Sequence, residues 1–147
     1  MTRGELTEKI STIKRKKGLT WAQLAKEVGR SSVWTTAALL GQMPMSKDEA
    51  QKAARMLDLQ EEEMVLLQTI PMRGALDSSP PVDPTIYRFY ELIQVYGTTW
   101  KELIHEEFGD GIMSAIDFEV ALERMPDPKG DRVKLTMHGK FLPYRKY

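Results

Sequence analysis

The sequence has no cysteine. That absence removes disulfides, thiolate nucleophiles and cysteine-based zinc sites from consideration. Histidine is scarce: His105 lies on a helical segment beside Glu106 and Glu107, and His138 precedes Gly139 at an expected turn. Both read as surface residues rather than bases or ligands. No metal site is expected. No apolar run approaches the ~20 residues that a membrane-spanning helix needs, so no membrane partner is expected. The opening MTRGELTEKI is too polar for a signal peptide, which makes the cytoplasm the expected location. Internal repeats and low-complexity tracts are also missing. Net charge is zero, with 21 basic side chains against 21 acidic ones.

What is present is ordinary for a globular protein: 147 residues, 41% hydrophobic and 29% charged. That length suits one domain or two small ones. The zero charge hides an asymmetry. Met1 to Leu57 holds eleven Lys/Arg and five Asp/Glu, whereas Gly74 to Tyr147 holds nine and twelve. The basic half leaves a nucleic-acid partner open for inspection.

The first half reads as five helices. Leu6, Ile10 and Ile13 recur at helical spacing and run into Lys14–Lys17 and Gly18, which are stop signals. Thr20 with Gln23 forms a capping box for a helix over Trp21 to Val28. Ser31 or Ser32 caps a third helix through Leu40. Ser46 with Glu49 opens a fourth to about Leu57, and Glu61–Glu63 begins a fifth that ends near Gln68. Leu24, Ala25, Gly29 and Val33 make a helix-turn-helix pattern, with a small residue at the crossing and glycine in the turn. The would-be recognition helix, SVWTTAALL, carries no Arg, Lys, Asn or Gln to address base edges. DNA binding is therefore not expected, and so apolar a helix suits packing against protein.

Pro71 to Pro81 has linker composition and sets two domains, 1–75 and 76–147. Asp83 and Pro84 open a helix that is expected to stop at Gly97. Ile86, Phe89, Tyr90, Ile93 and Tyr96 form one stripe, and Leu92 and Val95 join Arg88 and Glu91 on the other. A helix apolar on both stripes is expected to be enclosed on both sides, by its own domain or by another subunit. Arg88 and Glu91 would then face a poorly solvated space. Two readings stand: an ordinary intrahelical ion pair, or an anion site in which Glu91 orients the Arg88 guanidinium.

Thr99 and Glu102 look like another capping box, opening a short helix to Phe108. Ile112, Ser114, Ile116, Phe118 and Val120 then alternate as one face of a strand. Ser114 lies in that apolar register, so its hydroxyl needs a partner, and a backbone carbonyl is the plain one. No His–Asp pair is arranged to activate it as a nucleophile. Val133, Leu135 and Met137 mark a second strand, and Gly139–Lys140 is expected to turn into the tail Phe141–Pro143. This half therefore reads as two helices and two or three strands, thin enough to gain from oligomerising.

At this point the residues carry a resemblance. DPTIYRFYELIQVYGTTWKELIHEEFGDGIMSAIDFE is similar to the cyanase (cyanate hydratase) family, and ALLGQMPMS, LLQTIPMRG and GKFLP match as well. The resemblance covers essentially the whole chain. It implies an α+β fold: an N-terminal helical bundle of helix-turn-helix (lambda-repressor-like) type, then a small α+β domain that intertwines with its dimer mate. Five such dimers would make a homodecamer. The family's catalytic arginine, glutamate and serine fall on Arg88, Glu91 and Ser114, and its pocket-lining neighbours on Ile112, Ala115 and Leu142. The implied reaction is a carbon–oxygen lyase step, the bicarbonate-dependent breakdown of cyanate to carbamate and carbon dioxide. Carbamate would then fall apart to ammonia and carbon dioxide, serving cyanate detoxification and nitrogen supply. No cofactor is implied, bicarbonate being a co-substrate. The competing class is a transcriptional regulator that keeps the helix-turn-helix without activity. The cation-poor recognition helix and the intact Arg88, Glu91 and Ser114 set speak against it.

Overall fold

The computed structural model describes residues 1–71, 74 and 79–145. Most of the expected linker lies outside them. The protein is α+β, in the order α1 (Arg3–Lys16), α2 (Trp21–Val28), α3 (Ser32–Leu39), α4 (Lys47–Leu57), α5 (Glu61–Gln68), α6 (Pro84–Phe108), β1 (Gly111–Met125) and β2 (Arg132–Pro143). It forms two compact units, 1–75 with 121–134, and 76–120 with 135–147. No helix among the described residues is long and apolar enough to cross a membrane.

The first unit owes its helix starts to local chemistry. Thr2 with Glu5, Thr20 with Gln23, and Ser46 with Glu49 each close a reciprocal capping box, satisfying donors that a helix N-terminus leaves free. Ser31, not Ser32, caps α3 by accepting from the Trp34 N–H at 3.2 Å. Gly29 ends α2 with φ of 85°, a left-handed geometry that glycine adopts without strain. The turn brings α3 across α2, where Ala25 is buried as the pattern required. Leu6, Ile10, Leu24, Leu39, Leu57 and Leu67 fill one core. Beside them the buried Glu63 accepts from Lys9 and from the Gln60 N–H. Those two bonds, Lys9's first, hold its pKa below the usual carboxylate value, against desolvation that pushes it up.

The second unit departs from the expected elements in two places. Gly97 does not end a helix, and Thr99–Glu102 does not start one: α6 runs unbroken for 25 residues. The apolar stripe keeps its phase across Gly97 through Tyr96, Trp100, Leu103, Ile104 and Phe108, and Tyr96 stacks on Trp100 at 6.1 Å. That continuity outweighs the roughly 1 kcal/mol a mid-helix glycine costs. Nor does Gly139 turn the chain. β2 passes straight through it to Pro143, pairing with β1 in a two-stranded hairpin. One helix thus replaces the expected two, while the two strands agree with the two or three expected.

Candidate active site

Asp83 starts α6 by accepting from the Thr85 and Ile86 N–H groups at 2.9 and 3.0 Å, with Pro84 in the first turn. This fixes the phase that places Arg88 and Glu91 one turn apart on one side. The structure brings these two together: Arg88 Nη1 donates to Glu91 Oε1 at 2.8 Å. The pair is not enclosed. Their side chains are 67% and 44% exposed, and α6 has no buried residue at all. Enclosure by the protein's own domain is therefore corrected: among the described residues Phe141 of β2 meets Phe108 at 5.3 Å near the end of α6, and this leaves no residue of the helix buried. So exposed a pair contributes under ~1 kcal/mol to stability. The other Arg88 donors have no hydrogen-bond partner among the described residues.

Ser114 stands in the opposite situation. It is 5% exposed, and with Gly111 it makes up the buried residues among those described in the second unit. Its hydroxyl does not donate to a carbonyl, as expected from sequence. Ser114 Oγ instead accepts from the Ile116 and Asp117 N–H groups at 3.0 and 2.9 Å. These bonds belong to an interruption of the ladder. The carbonyls of Ser114 and of Asp117, three residues on, both close on the single β2 residue Gly139, so β1 carries extra residues there. The surplus is a bulge at Ala115–Asp117. It ends the simple alternation expected for this strand: Ser114 is buried while Ile116, two residues on, is 98% exposed.

Ile112 and Ala115 on β1 and Leu142 on β2 are all exposed. Among the described residues no hydrogen bond or ion pair joins Arg88 or Glu91 to Ser114. No three His, Asp or Glu side chains gather as metal ligands there either. A concavity of about 540 Å³ does occur in the first unit, lined by Gln51, Arg55, Asp58, Gln60 and Met64 among others. It is shallow and contains none of the expected site residues.

The N-terminal stretch 3–71 matches the family model for the N-terminal region of cyanate hydratase, and 78–146 matches that for the cyanate lyase C-terminal domain. A cyanate hydratase of Dechloromonas aromatica (strain RCB) is 61% identical over 147 residues, all of both chains. The chain belongs to the cyanate hydratase family. A cyanate hydratase of Ralstonia pickettii (strain 12J) is 57% identical, again over the full length of both. Among solved structures, the crystal structure of cyanase from T. urticae superposes with a TM-score of 0.82 at 40% identity. That comparison covers 94% of this chain and 96% of the other. The cyanate hydratase fold thus accounts for both units, the helix-turn-helix bundle included.

Proposed function

We propose that this protein is a cyanate hydratase that decomposes cyanate in a bicarbonate-dependent reaction. The observation that carries the reading is similarity to cyanate hydratases from end to end at 61% identity. Arg88, Glu91 and Ser114 are the acting residues. Cyanate and bicarbonate are both small anions and repel one another in water, so a site that joins them needs fixed positive charge and oriented donors. Arg88 supplies the charge, and Glu91 steers its guanidinium rather than acting as a base, since a second free carboxylate would oppose anion binding. A bicarbonate oxygen attacks the cyanate carbon, and the resulting dianion is held by Arg88 and by donation from Ser114. The bicarbonate proton passes to the cyanate nitrogen, which takes a second proton from solvent. The bond from the bridging oxygen to the former bicarbonate carbon then breaks, releasing carbon dioxide and leaving carbamate. Carbamate takes up a further proton and breaks down to ammonia and a second carbon dioxide. Ile112, Ala115 and Leu142 line the pocket. The reaction needs no metal or organic cofactor.

The acting unit is an oligomer of this chain, a decamer built from five dimers. Supporting this are the lack of any buried residue on α6 and the exposure of Ile93, Val95, Leu103, Ile116 and Val133, too much apolar surface for a lone protomer. Packing copies together would enclose the Arg88 stripe and could bring it to Ser114 of another copy. A DNA-reading role is disfavoured by α3. Its neighbouring cation, Arg30, is stacked over Trp34 at 4.4 Å and paired with Glu49 at 3.2 Å.

The test is ammonia release from cyanate by the purified protein, with and without added bicarbonate. Release that requires bicarbonate is expected. A protein that scatters light as a large oligomer yet releases nothing sinks the proposal.

A further inference from the structure

Gly139 lies in mid-strand, and its φ is not in the left-handed region, so conformation alone does not call for glycine. Space does. A Cβ built there would overlap the carbonyl oxygen of Ser114, and would come within 2.8 Å of Met113 Cγ and 3.3 Å of the Asp117 carbonyl oxygen. Met113 could move, but the two carbonyls belong to the bulge backbone and cannot give way without opening it. The same closeness recurs at Gly111, where a Cβ would overlap the Leu142 carbonyl and meet the Phe141 ring at 2.6 Å. The hairpin backbones therefore approach closely at Ser114 and again at Gly111.

The bulge that this approach holds shut sets the polarity of the Ser114 hydroxyl. A serine oxygen has two lone pairs and one proton. The Ile116 and Asp117 N–H groups take up both lone pairs, and no hydrogen bond donated by Ser114 is formed among the described residues. The oxygen is thus saturated as an acceptor and blunted as a nucleophile, while the proton is left to offer. We propose that Gly139 is a positioning residue for catalysis: lacking a Cβ, it lets β2 close on the 114–117 bulge and so keeps Ser114 a pure hydrogen-bond donor to an anion. This rests on the functional reading above, in which Ser114 faces the substrate anion.

The test uses azide, a linear anion isoelectronic with cyanate that carries no chemistry forward. Its affinity is measured by calorimetry on the assembled protein for wild type, S114A, G139A and the double variant, alongside cyanate turnover. If Gly139 acts through Ser114, each single variant weakens azide about tenfold and the double variant is no weaker than S114A. Multiplicative weakening in the double variant, or unchanged affinity in G139A, overturns the inference, as does G139A protein that fails to assemble, since the glycine is then structural. Amide exchange over residues 114–117 provides a second check that needs no change at Gly139. It is expected to quicken in S114A relative to wild type, and equal rates would refute the bulge contacts. Wild-type protein that turns over cyanate while the cycle shows no coupling refutes this inference alone. Wild-type protein that releases no ammonia refutes the proposed function and this inference with it.

Discussion

At the scale of single residues, two ion pairs do different work. Arg88–Glu91 is open to solvent and adds little to stability, so on the proposed function its value lies in orienting a cation. Lysine in its place keeps the charge but loses the planar fork. Arg88→Lys is expected to lower cyanate turnover at least ~100-fold with the oligomer intact, as scored by ammonia release and light scattering. A variant that merely dissociates would make the residue structural. Lys9–Glu63 is the reverse case, a contact whose carboxylate is buried in the bundle. Glu63 has a folded pKa below its unfolded value of about 4.3, so its contribution is complete above that pH and is lost as pH falls through the folded value. Glu63→Gln is expected to cost about 1–2 kcal/mol at pH 7, with the gap to wild type narrowing below about pH 4 in urea titrations. Arg88, Glu91 and Ser114 all stood out in the sequence, through helical spacing and an apolar register. The partner of Ser114 did not, because its two donors are backbone N–H groups that only a bulge turns inward.

At the scale of elements, the caps were the legible part except at Thr99–Glu102, where the same signature falls inside α6. Thr20, Ser46 and Asp83 announce their helices because a side-chain oxygen three residues before a free N–H is a local arrangement, complete within a few positions. Thr2 and Glu5 carry the same signature for α1. Glycine was the misleading letter. At Gly29 it ends a helix, at Gly97 it is carried along by an apolar stripe that never loses phase, and at Gly139 it makes room for another strand. These three uses are distinguished by what surrounds each residue in space, which sequence order does not contain. Since a Cβ at Gly97 would meet only Ile93 Cγ2 at an ordinary 3.6 Å, Gly97→Ala is expected to stabilise α6 by about 0.5–1 kcal/mol. A rise in thermal midpoint checks this. A fall would mean that another copy packs closely at that point.

At the scale of the whole molecule, the two units differ in how far each satisfies itself. The first has a filled core, and a fragment of residues 1–71 is expected to fold alone, giving a cooperative helical melt by circular dichroism. The second leaves no residue of α6 buried, and Leu103→Lys on its exposed face is expected to shift the assembly to smaller species by light scattering. The order of the units along the chain has a consequence in time. During synthesis the helical bundle leaves the ribosome first and can fold from contacts close in sequence within milliseconds or less. The exposed helix and hairpin follow it. On the proposed assembly, a finished chain then waits, with its sticky half bare, for copies to arrive. That wait shortens as expression rises, and so does the margin before misdirected association. Yield of active protein should therefore pass through a maximum with expression rate rather than climb with it.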